Sequence, residues 1–276
     1  MVAISMETRI NEVFSSIQGE GKLIGRRQIF VRFSGCNLEC NYCDTPLSRD
    51  SNYGTLFSTE KLFNLINSLV TPDFHSVSLT GGEPLLHADF IKIFLQEYNF
   101  NCLLETNGSL PNQIKKIVDL IKYCSLDIKL PEHNSTSNYN KLFKNELKSL
   151  NLLIDEGINT YCKVVILHST KVDLLSSIAS KLHDEISDIS KISMVIQPVH
   201  PFNYWDENNT LFEISETVAR VSGRRGPRSL RRDRHWRITL IANGTRGRYR
   251  RRHSPRRPFR RLQCASERCT DRRFLW

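Results

Sequence analysis

The chain has 276 residues, 39% hydrophobic and 25% charged, which suits a globular protein of one large or two small domains. No apolar run approaches the roughly 18 residues of a membrane span, and the N-terminus lacks the basic region and long apolar core of a secretory leader. The net charge of +10 is uneven: 14 Lys and 5 Arg stand against 26 acidic residues up to Ala219, whereas 20 Arg, no Lys and 3 acidic residues follow from Arg220.

In chain order, the apolar run Ile29-Phe30-Val31-Arg32-Phe33 predicts a first strand. It leads into Cys36, Cys40 and Cys43, a C-x₃-C-x₂-C loop that presents three thiolates together. Three thiolates can hold three irons of a [4Fe–4S] cube and leave the fourth iron open, whereas electron-transfer clusters usually take four cysteines. Catalytic zinc and unliganded thiols are the alternatives. Phe33, Leu38 and Tyr42 are expected to form an apolar collar around the loop. Cys102, Cys124 and Cys162 lie in apolar runs and read as buried small hydrophobes.

Ser58 is placed to cap a helix with Leu62, Ile66 and Leu69 on one face. Strands are predicted at 76–80, 101–106, 125–129, 161–167 and 192–197. Helices are predicted at 89–98, from Pro111 through Ile121, at 139–153, 172–182 and 211–221. With the first strand this makes six βα repeats, hence a parallel sheet with helices outside. Periodicity leaves two arrangements open, an incomplete barrel and a doubly wound sheet. Both put chemistry at the C-terminal strand ends. Those ends carry polar motifs: Thr80-Gly81-Gly82-Glu83-Pro84, Glu105-Thr106-Asn107-Gly108, Asp127-Ile128-Lys129 and Gln197-Pro198-Val199-His200. Paired glycines let backbone approach a ligand closely, and Glu83 is a candidate partner for an amino acid's ammonium.

From about residue 220 lysine vanishes and arginine dominates, with no sustained apolar period. This divides the chain into a core, 1–219, and an Arg-rich tail, 220–276, expected to be disordered. The shift toward residues with G/C-rich codons reads as a change of coding frame or a non-homologous fusion. A disordered arm that binds RNA is the alternative.

The cysteine spacing resembles the radical S-adenosylmethionine (SAM) superfamily. The stretch Ile17-Gln18-Gly19-Glu20-Gly21, followed by Arg32 and closed by Cys43-Asp44-Thr45, resembles the 7-carboxy-7-deazaguanine synthase family over roughly residues 7–200. The resemblance implies an incomplete (β/α)₆ radical SAM barrel and cytoplasmic location. It implies a [4Fe–4S] cluster on Cys36, Cys40 and Cys43, and Mg²⁺ bound through Thr45. SAM would lie against Gly82, Asp127, Ile128, Lys129, Gln197, Pro198, Val199 and His200, although Asp127 and Ile128 depart from the Ser-Pro-Lys common in the family. The substrate, 6-carboxytetrahydropterin, would meet Ile17, Gln18, Gly19, Arg32 and Thr80. Glu105-Thr106-Asn107-Gly108 resembles a polar strand end of the family, with Glu105 a candidate ligand contact, the alternative being a helix-initiating turn at Asn107-Gly108. The family's chemistry is ring contraction with loss of ammonia, SAM being regenerated. A flavodoxin or ferredoxin as electron donor and a homodimer are further implications. The family's C-terminal Thr-His-Lys-like strand has no counterpart in this sequence. A radical SAM activase of a glycyl-radical protein and an RNA-binding protein acting through the tail are the rival readings.

Overall fold

Along β2 (Arg27–Phe33), Ile29, Val31 and Phe33 are buried in an apolar core, while Gln28, Phe30 and Arg32 face the other way. This period of two marks a strand with two distinct faces. The computed structural model describes residues 6–199 and 237–240. His200, the helix expected over 211–221 and the boundary at 219/220 lie outside the described residues.

β1 (Glu7–Ile17) pairs antiparallel with β2, and β3 (Thr55–Ser58) pairs antiparallel with β1. All later strands run parallel to β2: β4 (Phe74–Gly81), β5 (Cys102–Thr106), β6 (Tyr123–Asp127), β7 (Asn159–Ile166), β8 (Ser193–Pro198) and β9 (Arg237–Leu240). Between them lie α1 (Thr59–Leu69), α2 (Ala88–Tyr98), α3 (Pro111–Ile114), α4 (Tyr139–Asp155) and α5 (Val172–Glu185).

The sheet order is β3-β1-β2-β4-β5-β6-β7-β8-β9. Its parallel strands follow chain order without the reversal that defines a doubly wound sheet. Right-handed crossovers then put the helices on one face. The core shared by helices and sheet contains Val77, Leu79, Leu104, Leu126, Val164 and Ile196, together with Leu62, Phe94, Leu150 and Leu182 from the helices. The opposite face is a concave lumen lined by the alternate residues. It is apolar near the strand starts, where Leu103, Tyr161 and Val195 cluster, and polar toward the strand ends. The architecture is the incomplete (β/α)₆ barrel.

All six expected βα strands are present as β2 and β4–β8. Ser58 caps α1, its side chain accepting from the Lys61 amide. The helix expected from Pro111 to Ile121 is only four residues long. Ile117, Val118 and Ile121 are still buried, but the chain leaves helical geometry at Ile117 (φ −130°, ψ 0°). The β-branched run favours that departure. Strand β9 falls within the stretch read as a tail, so residues 237–240 of that stretch belong to the sheet. Among the described residues, no helix is long and apolar enough to cross a membrane.

Candidate functional site

The cysteine loop leaves β2 and is fixed to its surroundings by backbone hydrogen bonds. Gly35 N donates to Ser48 O (2.8 Å) and Glu83 N donates to Gly35 O (2.8 Å). Glu39 N donates to Ser135 O (2.9 Å) and Asn41 N to His133 O (3.0 Å), so the β6–α4 connection clamps the loop on both sides of Cys40. Asn107 Nδ2 donates to Asn37 Oδ1 (3.0 Å) and Asn37 Nδ2 to Ser109 Oγ (2.8 Å), tying the loop to the end of β5.

Cys36, Cys40 and Cys43 are each half-buried, whereas Cys102, Cys124 and Cys162 are fully buried among core side chains. Among the described residues, the first three are the cysteines free to hold an external group. Burial pushes the Cys36 thiol up to about 11, and a bound metal deprotonates such a thiol outright. Among the described residues, no three His, Cys, Asp or Glu side chains converge as a single ion would require. Cluster ligands need no such convergence, because each thiolate binds its own iron. The donor set therefore fits a [4Fe–4S] cluster.

Leu38 is buried beside the loop, and Tyr42 packs edge-on against His133 with ring centroids 4.6 Å apart. Phe33 does not join this collar. It faces the helix-side core, where it stacks on His87 at 5.1 Å. Thr45 follows the last cysteine, with Oγ1 4.0 Å from Cys43 Sγ and half-exposed.

Gly82 packs directly on the cysteine loop. A Cβ at this position would sit 2.1 Å from Gly35 O and 2.6 Å from Ser48 O, so only glycine permits the contact. Glu83 is not available as an ammonium ligand, contrary to expectation. It is fully buried, and its carboxylate accepts from Leu85 N (3.0 Å), Thr106 Oγ1 (2.7 Å) and Asn107 N (2.8 Å). Burial pushes it up to about 7 despite these donors. It pins the β4 turn to the end of β5.

Lys129 Nζ donates to Tyr42 OH (3.0 Å) and to Asp127 Oδ2 (3.0 Å). Asp127 Oδ1 also lies 3.3 Å from Lys163 Nζ. Burial alone would raise Asp127, but Lys129 and Lys163 outweigh it and hold the carboxyl below its ordinary value. Asp127 is thus committed to two lysines. The Ile128 side chain belongs to the helix-side core, so this residue offers a ligand only its backbone. Pro198 is buried, and Val199 N donates to Ile166 O (2.9 Å). Gln197 keeps a buried Oε1 without a hydrogen-bond partner. That orphan acceptor marks a place for a donor from outside the chain.

The other side of the lumen is built by the segment after β1. Gln18 is 5% exposed. Its Nε2 donates to Gln28 Oε1 (2.9 Å) and to Glu105 Oε1 (2.9 Å), and its Oε1 accepts from Glu20 N (3.0 Å). Ser78 Oγ also donates to Glu105 (2.7 Å), and Thr80 Oγ1 reaches it at 3.4 Å. Burial raises Glu105 against the pull of Lys163 and these donors. Lys163 Nζ donates to Glu20 Oε2 (3.0 Å). Burial alone would depress Lys163, but Asp127, Glu20 and Glu105 hold its ammonium well above the ordinary range.

Gly21 has φ +65°, and a Cβ there would collide with the Tyr161 ring, so glycine lets this segment close on the barrel. Arg32 lies on the same face, pairs across strands with Thr80, and holds Glu12 Oε1 at 2.5 Å from its Nε. Ile17 and Gly19 are exposed at the rim.

Of the expected residues, Gln18, Thr80, Glu105, Asp127 and Lys129 are therefore joined, through Glu20 and Lys163, in one polar network that reaches Tyr42 of the cysteine loop. Sequence reasoning missed Glu20, Lys163 and Ser135. Glu20 was read only as part of the family stretch 17–21, and the signal that could have found Lys163 is a single lysine between the apolar runs of β7.

The Radical SAM superfamily model matches residues 30–178. A 7-carboxy-7-deazaguanine synthase of Methanothermobacter thermautotrophicus is 47% identical over 229 residues, covering 79% of this chain and 93% of that protein. Another, from Methanocaldococcus jannaschii, is 40% identical, covering 75% and 90%. Among solved structures, QueE from Escherichia coli superposes with a TM-score of 0.56 at 22% identity, covering 86% of this chain and 95% of that one. Streptococcus suis SuiB bound to S-adenosylmethionine gives 0.53 at 12% identity, over 77% and 52%. These two likenesses concern the fold.

Proposed function

Since the chain belongs to the radical SAM superfamily, and within it to the 7-carboxy-7-deazaguanine synthases, we propose that it contracts 6-carboxy-5,6,7,8-tetrahydropterin to 7-carboxy-7-deazaguanine with loss of ammonia. The product feeds 7-deazapurine biosynthesis toward queuosine or archaeosine. The observation that carries this reading is the closure of the Gln18–Glu20 segment over the lumen that the cysteine loop borders. Gln18 meets Glu105, and Glu20 meets Lys163.

Cys36, Cys40 and Cys43 would hold the [4Fe–4S] cluster. Bound there together with SAM, it would supply one-electron radical chemistry able to take hydrogen from the pterin. The chain's own residues bind and orient. Gly82 allows close backbone approach, Lys129 and Gln197 present a cation and an open acceptor, and the Ile128 and Val199 backbones complete the SAM side.

On the substrate side, Arg32 offers a guanidinium to the pterin carboxylate, with Thr80 beside it. Gln18 and Glu105 present an amide and a buried carboxyl to the ring nitrogens. Thr45, half-exposed next to the cysteine loop, would offer an oxygen to Mg²⁺, whose charge would help orient the substrate carboxylate. A one-electron donor of the flavodoxin or ferredoxin type, a homodimer and a cytoplasmic setting complete the reading.

The test is anaerobic reconstitution with iron and sulfide, then incubation with SAM, dithionite, Mg²⁺ and the carboxylated tetrahydropterin. 7-Carboxy-7-deazaguanine should form, and Cys36→Ala, Cys40→Ala and Cys43→Ala should each abolish both chromophore and product. A protein with a full, SAM-cleaving cluster that leaves the pterin unchanged would refute the substrate assignment.

A further inference from the structure

Among the described residues, one hydroxyl touches the cysteine set from outside the loop. Ser135 Oγ lies 3.0 Å from Cys40 Sγ, and Ser135 is 5% exposed. It is held there by backbone rather than by its own side chain. Asn134 takes a left-handed conformation, φ +48°, which turns the chain back after the short 3₁₀ turn Pro131–His133. Ser135 O then accepts from Glu39 N (2.9 Å), and His133 O accepts from Asn41 N (3.0 Å). His133 is itself fixed, its Nδ1 accepting from Leu130 N (3.0 Å) and its Nε2 donating to Val165 O (3.0 Å). The β6–α4 connection thus carries a preorganised hydroxyl to one sulfur of the three.

With a free thiol, either atom of the Ser135–Cys40 pair could donate. A metal-bound thiolate has no proton, so only the serine can donate. Hydrogen bonds to cluster sulfurs are one of the protein's levers on reduction potential. They stabilise the more electron-rich reduced state more than the oxidised one. Burial strengthens the effect by keeping water from substituting for the hydroxyl.

We infer that Ser135 is a positioning residue for the cluster, donating to the Cys40 thiolate and raising the potential at which the cluster accepts its electron. This rests on the reading of Cys40 as a cluster ligand. It adds a residue from a segment that shares no motif with the cysteine loop.

The experiment is an anaerobic redox titration of the reconstituted holoenzyme, followed by electron paramagnetic resonance, on wild type, Ser135→Ala, Ser135→Thr and Ser135→Cys. The potential moves by the difference between the bond's strength to the reduced and to the oxidised cluster. Ser135→Ala should therefore lower the reduced-to-oxidised ratio at a fixed poise by a few-fold to roughly tenfold, tenfold being about 59 mV toward the negative for a one-electron couple. Ser135→Thr keeps the hydroxyl and should titrate like wild type. Ser135→Cys, with a weaker donor, should fall between. Iron content should not change, since the backbone clamp survives all three substitutions.

An unchanged potential in Ser135→Ala, at full iron content, would overturn the inference. Should the alanine variant hold too little cluster to titrate, the cysteine variant decides by the same criterion. Failure of the ligand reading is a separate result, visible as a Cys40→Ala protein that keeps its full iron.

Discussion

Lys163 is the link whose removal should be felt most widely. It joins Glu20, on the segment that closes the lumen, to Asp127, which in turn holds Lys129 and through it Tyr42 of the cysteine loop. Lys163→Met keeps the stem and removes the charge. At 3.3 Å and an effective dielectric constant near 20, the gross attraction to Asp127 is about 5 kcal/mol. Desolvation of both groups cancels part of that, but breaking a buried pair costs about 3–5 kcal/mol because the partner is stranded. Asp127 keeps Lys129, and the Glu20 side chain is 44% exposed, so water screens its loss. A destabilisation of about 2–3 kcal/mol results. With a urea slope of roughly 2 kcal/mol/M, the midpoint should fall by about 1–1.5 M at pH 7.

The double variant Asp127→Asn with Lys163→Met should recover part of this loss, since it strands no charge between the two positions. Asp127 is held below its ordinary value, so its contribution is complete above about pH 3.8 and is lost as pH falls through the lowered value. Lys163 is held above its ordinary value, so its contribution is complete below about pH 10.5 and is lost as pH rises beyond. Stability from this pair should be flat between those limits. A Lys163→Met midpoint within about 0.2 M of wild type, or a double variant as unstable as the two single losses added, would refute the reasoning.

Thr45→Ala should slow pterin turnover more than SAM cleavage in the absence of pterin, and weaken the response to Mg²⁺ on the order of tenfold; identical Mg²⁺ titrations would remove Thr45 from the site. Gly82→Ala should destabilise the protein by about 1–3 kcal/mol or more and weaken SAM binding, because the new Cβ meets backbone oxygens of Gly35 and Ser48 that no side-chain rotation can relieve. Calorimetry that finds wild-type SAM affinity for that variant would contradict the packing argument. Truncation after Ala219 should leave iron content intact, since every proposed cluster ligand precedes it. It should reduce nonspecific RNA binding with its 20 arginines gone, yet lower the thermal midpoint, because the β8–β9 ladder is lost. An unchanged midpoint would mean that this ladder contributes nothing to stability.

The six βα strands were legible because each is buried on both faces or alternates cleanly, and turn residues bound them. β1 was not. Its register shifts between Ile10 and Glu12, so Ile10 and Val13 do not keep a period of two, and Ser15, Ser16 and Glu12 dilute the pattern. β3 has only four residues, with two of them exposed. The Arg-rich composition hid β9, since pairing with an existing edge requires backbone rather than an apolar face. The choice between barrel and doubly wound sheet was also beyond periodicity. It depends on the direction of each crossover, which no local pattern encodes.

The candidate site divides along the same line. Residues joined by the chain itself were readable: three cysteines on one loop, a glycine pair after a strand, a threonine two positions beyond the last thiol. Residues joined only by the sheet were not. Glu83 illustrates the limit. Its place in a glycine-rich turn suggested a ligand contact, but its carboxylate is occupied by Leu85, Thr106 and Asn107. Asp127 shows the same from the other direction. As a departure from the family's usual residue it looked like a doubtful SAM contact. Its meaning becomes plain only when parallel pairing sets Lys163 beside it. A carboxylate at that position requires a second cation in the lumen, and β7 supplies one 36 residues later. The lumen therefore keeps its charges in balance across strands, so a substitution at Asp127 is best judged together with Lys163 rather than with its neighbours in sequence.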